Sequence, residues 1–504
     1  MSLQTSATGT ESEKRPARVA GRNPTGKSRL IFQLNTVLRI SALLAVARLP
    51  FLLPLLPITA PAGESYLDNG IIKIGVDSTQ GGSITWLSLS GTTNNIVNRH
   101  DLGREIQQSY YAGPQPYNPS NNANPGWPNW PWNPIQSGDS YGNSSVVLEQ
   151  TSDGQTLHVQ CRPMQWALNN VPGQCTLESW ITLSNHVAVV RNRLVNSRTD
   201  TARQFPAMDQ ELPAVYTVGT LWQLVSYAGN APFTGDALTN FPVTPPPWRH
   251  WNATESWAAL VNSNHWGLGV YNPGSAWFTG GFAGPPGAGG PADDPTGYIA
   301  PLQREILDTN IVYNYTYYLI LGTVSQIRDW IYAQSWRPGC DFVFNADRCH
   351  WSCLSTTDAG WPVTNCLTVS LNSSDPQLWA SRTAFYATNV PRVYIRAAYH
   401  LARPAGRAFG QVFWESNGTG WWSEARGVTF PILTDGEFHT YAVNLAASTN
   451  YTGLITQVRF DPAYAGEAGD WVKVAAITSA PFAGDAVAMP GRSPVPANGG
   501  ALHR

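Results

Sequence analysis

Residues 70–90 read GIIKIGVDSTQGGSITWLSLS, in which two runs of alternating apolar and polar residues flank a Gly-Gly pair. A period of two residues is typical of a β-strand with one buried face, and paired glycines favour a tight turn. Runs of the same kind recur through most of the chain, for example at residues 156–162, 187–196 and 311–321. The sequence therefore predicts an all-β fold of short, mainly antiparallel strands.

The composition favours the same fold class and suggests a class of ligand. The chain has 504 residues and a formal net charge of −2, which argues against a nucleic-acid partner or a polybasic membrane surface. Its 45 Gly and 39 Pro residues provide turns, and its 21 Trp and 20 Tyr residues suit pleated strands. An indole offers a flat apolar face to the C–H side of a pyranose ring, so the many tryptophans suggest a carbohydrate partner. The sequence has no phosphate-binding loop, nucleophile elbow or zinc-protease helix, which disfavours nucleotide enzymes and peptidases.

Shifts in composition divide the chain into five segments. Residues 1–63 combine a basic flank with an apolar stretch at 40–60 that is interrupted by Arg48 and three prolines, a pattern typical of a signal peptide or an uncleaved signal anchor. We therefore expect a secreted, lumenal or cell-surface protein with no other membrane segment. The remaining segments are a β-rich body, a disulfide-rich linker, a second β-rich domain and a tail expected to be disordered, at residues 64–339, 340–366, 367–480 and 481–504.

Cysteines and glycosylation sequons agree with an extracellular location. Six cysteines in an oxidising compartment are expected to form disulfides, with fifteen possible connectivities. We expect Cys161 to pair with Cys175 across adjacent strands and the other four cysteines to staple the linker. The spacing of Cys349, His350 and Cys353 does not match known zinc motifs, so no metal site is expected there. The sequons, which permit N-glycosylation in a eukaryotic host, are at Asn143, Asn252, Asn314, Asn372, Asn417 and Asn450.

The densest group of polar side chains lies at residues 98–111, NRHDLGREIQQSYY. Gly103 and the absence of a 3.6-residue apolar period predict a loop that leads into a strand. Such a segment can direct carboxylates, a guanidinium and phenols at one concave surface. The alternative is an ion-paired strand end, in which Arg104 neutralises its acidic neighbours for structural reasons. The candidate site residues of this segment are His100, Asp101, Arg104, Glu105, Gln108, Tyr110 and Tyr111.

Further candidates lie in a long loop and before two apolar runs. Residues 113–134 are rich in Pro, Asn and Trp, and loops of this length are usually functional or disordered. Exposed indoles make disorder unfavourable, so we interpret the loop as a packed rim in which Trp130 and Trp132 stack on sugar. Glu211, in MDQELPAVY, and Glu255, in ESWAALV, each precede apolar residues. An apolar setting raises the pKa of a carboxyl, and this suits Glu211 to the role of a general acid.

The second β-rich domain resembles a known family. The runs DGEFHTYAVNL at 435–445, GLITQVRFDP at 453–462 and WVKVAAI at 471–477 are similar to the galactose-binding-like jelly rolls appended to extracellular glycan enzymes. The resemblance implies a carbohydrate-binding jelly roll that sometimes holds a structural calcium ion. Packing in the core is the alternative role for the candidate sugar-stacking residues, Trp414, Trp421 and Trp422.

The body resembles the galactose-mutarotase-like β-supersandwich, through residues 70–89 and through ESWAALV followed by GLGVY at 267–271. That superfamily includes sugar epimerases and the substrate domains of several glycoside hydrolases and polysaccharide lyases. The two resemblances together imply a large antiparallel β-supersandwich followed by a smaller β-sandwich jelly roll. The likeness lies in the strand pattern rather than in a catalytic signature. His100 and Glu211 are the nearest residues, by type and context, to the family's catalytic His and Glu.

These features predict a carbohydrate-active protein that acts on a polysaccharide or glycoconjugate and needs no cofactor. Glycoside hydrolysis needs two carboxyls, for which the candidates are Asp101, Glu105, Asp209, Glu211 and Glu255. A lyase or an epimerase needs a base, a cation and a proton relay, for which the candidates are His100, Arg104, Tyr110 and Tyr111. The alternative to an enzyme is a secreted glycan-binding or cell-wall structural glycoprotein. The expected substrate-binding residues are Arg104, Gln108, Tyr111, Trp130, Trp132, Glu255, Trp414 and Trp422.

Overall fold

The computed structural model describes residues 63–117, 123–199 and 204–482, together with the backbone of 487–488. These residues form four β-sheets, one α-helix and short 3₁₀ turns. The all-β fold predicted from the sequence is confirmed. The predicted targeting region and most of the predicted tail lie outside the described residues. No helix within the described ranges has the length and apolar character needed to cross a bilayer.

Nineteen strands and one helix lie in the described part of residues 63–332. Their bounds are β1 Glu64–Asp68, β2 Ile72–Asp77, β3 Ser83–Leu89, β4 Ile106–Ser109, β5 Pro134–Ile135, β6 Val146–Ser152, β7 Thr156–Arg162, β8 Met164–Gln165, β9 Cys175–Ser184, β10 Val187–Asn196, β11 Met208–Val218, β12 Gln223–Ser226, β13 Thr239–Phe241, β14 Arg249–Asn252, β15 Trp257–Val261, β16 Trp266–Tyr271, β17 Trp277–Ala283, β18 Thr296–Glu305, β19 Val312–Thr323 and α1 Val324–Tyr332.

These strands form two sheets that pack face to face. The first sheet has the order β1-β2-β3-β4-β11-β18-β17-β14, with β5 paired to β4 and β8 paired to β5. The second has the order β13-β12-β15-β16-β19-β10-β9-β7-β6. Their facing sides enclose an aliphatic core that includes Ile74, Val215, Leu268 and Leu319. Because alternate side chains of a strand point to opposite faces, the first sheet also has a face directed away from this core, which we call the outer face.

The helix α1 packs against the second sheet. Thr323 caps its N-terminus, and the side chain of Gln326 completes a capping box. Ile327 and Ile331, one turn apart, are fully buried on the side that faces the sheet.

Thirteen further strands follow in the described residues. Their bounds are β20 Phe342–Val343, β21 Ser352–Leu354, β22 Thr357–Asp358, β23 Leu367–Ser370, β24 Gln377–Trp379, β25 Phe385–Tyr386, β26 Val393–His400, β27 Phe409–Ser416, β28 Gly427–Pro431, β29 His439–Val443, β30 Leu454–Asp461, β31 Trp471–Thr478 and β32 Val487–Ala488. They form two sheets, β22-β23-β31-β26-β29-β32 with β20 at β31, and β21-β24-β30-β27-β28 with β25 at β30. We call this pair of sheets, with the segments that join them, the C-terminal sandwich; its core includes Tyr399, Trp414 and Phe460.

All six cysteines lie in the described residues, and all are free thiols. The predicted Cys161–Cys175 disulfide and the predicted disulfide-stapled linker are therefore wrong. On the paired strands β7 and β9, Cys161 lies opposite Leu177, which leaves Cys175 in a diagonal position. Diagonal neighbours are about 7–8 Å apart, which exceeds the usual Cα separation in a disulfide.

Polar contacts join the body to the C-terminal sandwich. The guanidinium of Arg348 lies 2.7 Å from Asp308 of the body and 2.9 Å from Asp358, and the side chain is 4% exposed. Asn417 donates its side-chain amide to the carbonyl oxygen of Ala228 at 3.1 Å. Asn417 is one of the predicted sequons, so the nitrogen that would carry a glycan is engaged in this contact.

Candidate functional site

A β-bulge in β11 directs Glu211 to the outer face. Glu211 pairs with Leu302 and Val215 pairs with Ile299, so four steps along β11 match three steps along β18. The extra residue reverses the alternation of side chains between its two sides. Val215 consequently points into the core, whereas Glu211 and Tyr216 both lie on the outer face.

A row of directly opposed residues crosses four strands of the outer face. Ser109 on β4 and Leu302 on β18 lie opposite Glu211, and Trp277 on β17 lies opposite Leu302. Opposed residues of antiparallel strands place their side chains on the same face. We call these four residues the central row. Since neighbouring strands are about 4.8 Å apart, Trp277 lies roughly 10 Å from Glu211 along this row.

Glu211 is a half-buried carboxyl surrounded by hydroxyl groups. Tyr298 donates a hydrogen bond of 2.6 Å to Glu211 Oε1. Burial raises the pKa of Glu211 above its ordinary value, although hydrogen bonds from Tyr298, Ser109 and Tyr111 act in the opposite direction. Burial also raises the pKa of Tyr298 and of Tyr111, so both phenols keep their protons. A carboxyl with a raised pKa is suited to donate a proton as a general acid.

A second carboxylate lies beside Glu211 on the same face. Asp209 precedes Glu211 by two residues on β11 and lies directly opposite Arg304 on β18. The nearest charged atoms of Asp209 and Arg304 are 3.5 Å apart. Positions two residues apart on a strand are separated by about 7 Å. The outer face therefore presents two carboxyls in different settings, one among phenols and one beside a guanidinium.

Aromatic rings border the two carboxyls. The rings of Tyr216 and Tyr298 are 4.7 Å apart, and Trp248 packs on Tyr298 at 5.0 Å, both measured between centroids. The imidazole of His250 stacks on Trp277 at 5.8 Å. Flat apolar rings beside polar groups are the combination that recognises the two kinds of surface on a pyranose.

The central row borders a cavity of about 330 Å³ between the body and the C-terminal sandwich. Leu302 and Trp277 contribute to its wall, and Glu211 lies one strand beyond Leu302. Side chains of β21, β24 and β30 contribute the opposite wall. We call it the interface cavity, and its lining residues are Pro206, Ala207, Asp209, Trp277, Leu302, Gln303, Arg304, Ser352, Cys353, Leu354, Trp379, Ser381, Arg382, Trp421 and Gln457.

The structure brings three of the sequence-predicted residues together. The hydroxyl of Tyr111 is one of the groups around the Glu211 carboxyl. Trp130, in the loop predicted to form a rim, packs edge-on against Tyr111 with 6.1 Å between ring centroids. Glu211, Tyr111 and Trp130 therefore form one group on the outer face, and their roles in binding or catalysis stay predictions.

Three candidates from residues 98–111 are enclosed in the protein. Tyr110 and Gln108 occupy alternate positions that face the core, where the Tyr110 hydroxyl donates to Gln108 Oε1 at 2.8 Å. Glu105 is fully buried, and neither of its carboxyl oxygens has a hydrogen-bond partner among the described residues. Burial raises the pKa of Glu105 well above its ordinary value, which favours the neutral form of the carboxyl. The predicted site roles of these three residues are wrong because their side chains are shielded from solvent.

The other polar residues of this segment make contacts within surface loops. Arg104 pairs with Asp101 at 3.1 Å and with Asp294 at 2.8 Å. His100 is exposed, and its Nδ1 lies 2.9 Å from the carbonyl oxygen of Ala292. The ion-paired alternative therefore describes Arg104 and Asp101. The catalytic roles predicted for His100 and Asp101 and the substrate-binding role predicted for Arg104 stay predictions.

Three predicted substrate-binding residues have structural roles instead. Trp132 and Trp414 are fully buried in the cores of the body and of the C-terminal sandwich. Glu255 is fully buried beside α1 and accepts a hydrogen bond of 2.6 Å from the hydroxyl of Tyr332. A ligand in solvent cannot contact these side chains, so the predicted roles are wrong.

Sequence reasoning missed most of the interface cavity. Trp422, predicted to stack on sugar, packs edge-on against Trp379 with centroids 5.2 Å apart. Its neighbour Trp421, also a candidate from the sequence, is 75% exposed and lines the cavity. The sequence around the other aromatic and basic residues of the cavity has no pattern that indicates a binding site. These residues lie close together only because two separate pairs of sheets pack against each other. The residues of the cavity and of the Glu211 environment that were not selected are Trp277, Tyr298, Arg304, Trp379 and Arg382.

The donor groups of the site suit acid–base chemistry. Among the residues that the structure describes, no three His, Cys, Asp or Glu side chains are grouped so as to hold a metal ion. Glu211 can donate a proton, Asp209 can accept one, and the tyrosines can orient the carboxyl.

Comparisons with known proteins found similarity in structure alone. No protein-family model matches the chain, and no curated protein matches its sequence. A galactose mutarotase-like protein from Lactobacillus casei is similar over 51% of this chain and 100% of its own, with 12% identity and a TM-score of 0.34. A galactose mutarotase related enzyme from Lactobacillus acidophilus is similar over 51% of this chain and 97% of its own, with 10% identity and a TM-score of 0.30. A GH36 α-galactosidase from Geobacillus stearothermophilus is similar over 53% of this chain and 40% of its own, with 9% identity and a TM-score of 0.32. Likeness at this level carries no information on activity.

Proposed function

We propose that the protein hydrolyses a polysaccharide, with Glu211 as general acid and Asp209 as general base. The supporting observation is the pair of same-face carboxyls on β11, one with a raised pKa among tyrosines and the other 3.5 Å from Arg304. Two carboxyls in unlike environments are the arrangement that assigns one residue to donate and the other to accept a proton.

The backbone spacing of the two residues is compatible with hydrolysis by inversion. Inverting enzymes hold their carboxyl groups about 6.5–9.5 Å apart, which leaves room for a water molecule, and the Cα atoms of same-face neighbours on a strand are about 7 Å apart. Glu211 would protonate the glycosidic oxygen as its bond to the anomeric carbon breaks. Asp209 would take a proton from the water whose oxygen forms the new bond to that carbon.

The test is product release from a panel of plant, algal and bacterial polysaccharides. We expect new reducing ends from the intact protein and a loss of about 10²–10⁴-fold in rate for Glu211→Gln. Asp209→Asn should give a comparable loss. Glu437→Gln, the same change at an exposed position of the C-terminal sandwich, is the matched control and should keep full activity.

Other outcomes identify the alternatives. Absorbance of an unsaturated uronate without water addition would indicate a lyase, and interconversion of sugar anomers or epimers would indicate an epimerase. Retention on a polysaccharide with no product would favour a glycan-binding protein. Full hydrolytic activity in Glu211→Gln would refute the assignment of the acid.

A further inference from the structure

The interface cavity has walls from two parts of the chain. Trp277 and Arg304 lie on strands of the body, whereas Trp379, Arg382 and Trp421 belong to the C-terminal sandwich. We propose that the C-terminal sandwich is not an independent glycan-binding module but the second wall of one oligosaccharide cleft, in which a single sugar chain contacts Trp277 and Trp421 together. The proposal rests on the proposed function for the class of ligand.

The cavity wall from the C-terminal sandwich is built to meet a ligand. Trp421 is 75% exposed and lies on the cavity, so its indole is accessible to a ligand there. Gln457, which also lines the cavity, is 6% exposed, and its side-chain oxygen has no hydrogen-bond partner among the described residues. Its amide nitrogen donates to the carbonyl oxygen of Ala380 at 2.8 Å, which fixes the direction of the free oxygen. This oxygen is itself shielded from solvent, so Gln457 supports the cavity wall and does not contact a ligand.

Direct contacts hold the two walls in register. The guanidinium of Arg382 lies over the ring of Trp277, 4.8 Å from its centroid, and pairs with Glu415 at 2.8 Å behind it. Arg382 thus belongs to one wall and packs on the other, so the cleft is formed in the folded chain without closure of a mobile part. The fork of an arginine presents several N–H donors, which suits hydroxyl and carboxylate groups of a sugar.

The dimensions determine the class of ligand. Trp277 lies roughly 10 Å from Glu211 across the central row, which is more than one pyranose ring can span. A ligand that reaches both the acid and the second wall must therefore be an oligosaccharide or a segment of a polymer. A monosaccharide at Glu211 would not reach Trp277.

The experiment is a binding measurement that does not depend on turnover. Glu211→Gln serves as the inactive parent and is run in native gels that contain xylan, β-1,4-galactan, polygalacturonate or alginate, and oligomers of the retarding polymer are then titrated by calorimetry. We expect one binding site, weakened about tenfold by Trp277→Ala, which removes the ring that supports Arg382, and about tenfold by Trp421→Ala, which removes an exposed ring. Tyr464→Ala, which removes an exposed aromatic ring outside the cavity, should bind as the parent does.

Each other result has a defined meaning. Binding that survives Trp277→Ala but is lost in Trp421→Ala would overturn the shared cleft and show an independent module, and the reverse pattern would show that the body binds alone. If Trp277→Ala does not fold, Arg304→Gln, at a half-exposed position of the same wall, replaces it and should weaken the same site. Binding that depends on both walls, with no product from the intact protein, would refute the proposed hydrolysis and keep the cleft. No retardation by any polymer would overturn both.

Discussion

Replacement of Arg348 by Met is expected to lower the free energy of unfolding by about 3–5 kcal/mol. The guanidinium is 4% exposed and neutralises two carboxylates, Asp308 at 2.7 Å and Asp358 at 2.9 Å, of which Asp358 is 1% exposed. Methionine keeps an unbranched apolar stem of similar length but leaves both carboxylates without a cation. The loss is therefore the penalty for uncompensated buried charge rather than for a cavity.

The pH dependence distinguishes this mechanism from a loss of packing. Burial by itself raises the pKa of Asp358, but the hydrogen bonds and charge of Arg348 bring the pKa below its ordinary value. A carboxyl whose pKa is lower in the folded than in the unfolded protein stabilises the fold at pH values above its unfolded-state pKa of about 3.9. This contribution is lost as the pH falls through the folded-state pKa. In Arg348→Met the charge and hydrogen bonds of Arg348 are lost, and only the hydrogen bonds from Gln204 and Gly360 still oppose the effect of burial on Asp358. Protonation of the carboxylates should therefore reduce the destabilisation of the variant as the pH falls. The difference between the two proteins should be largest near neutral pH and smaller toward about pH 4.

Urea unfolding followed by tryptophan fluorescence and far-ultraviolet circular dichroism measures the difference at each pH. The control is Arg403→Met, which removes a guanidinium that is 81% exposed from its pair with Glu467. An exposed pair of this kind contributes at most about 1 kcal/mol. A loss in Arg348→Met no larger than in Arg403→Met, or a loss independent of pH, would refute the argument.

Three further outcomes follow from burial. Burial raises the folded-state pKa of Glu211, so the stability that this carboxyl contributes is fully present below its unfolded-state pKa and is lost as the pH rises through its folded-state pKa. Glu211→Gln should therefore raise the Tm at pH 8 and leave it nearly unchanged at pH 4. Calorimetry measures both values, and equal shifts at the two pH values would contradict the raised pKa. Trp414→Ala should cost about 3–5 kcal/mol of unfolding free energy, whereas Trp421→Ala should stay within about 0.5 kcal/mol, and similar costs in urea unfolding would show that one ring has been misplaced. Cys161 and Cys175 should resist a thiol reagent in the folded protein and react on unfolding, since burial raises the pKa of both thiols and excludes the reagent; rapid labelling of the native protein would be inconsistent with their positions in the core.

The fold was predictable because its determinants are local. The alternation in residues 70–90 became β2 and β3, joined at the glycines of residues 81–82, and the runs at 255–261 and 267–271 became the hairpin of β15 and β16. The same local logic applies to α1, whose buried residues Ile327 and Ile331 are spaced by one helical turn. Period and turn chemistry are properties of neighbours along the chain, so the sequence alone reveals them.

The site was only partly predictable because its determinants are not local. Alternation along residues 108–111 predicts that Tyr110 and Tyr111 face opposite sides, but it does not tell which side is the core. The structure encloses Tyr110 and directs Tyr111 at Glu211. Trp277 and Trp421 are 144 positions apart in the sequence numbering, and they line one cavity only because two pairs of sheets pack together.

One determinant of the site was nevertheless present in the sequence. Pro213 lies within the apolar run that follows Glu211, and a proline in a strand is confined to an edge or a bulge because it cannot donate to the ladder. β11 lies between β4 and β18, so it is not an edge, and the bulge is the remaining solution. In a regular strand Glu211 and Tyr216, five positions apart, would face opposite sides. The extra residue places both on the outer face, so the irregularity at Pro213 is what allows a strand with a core-facing Val215 to present Glu211 to a ligand.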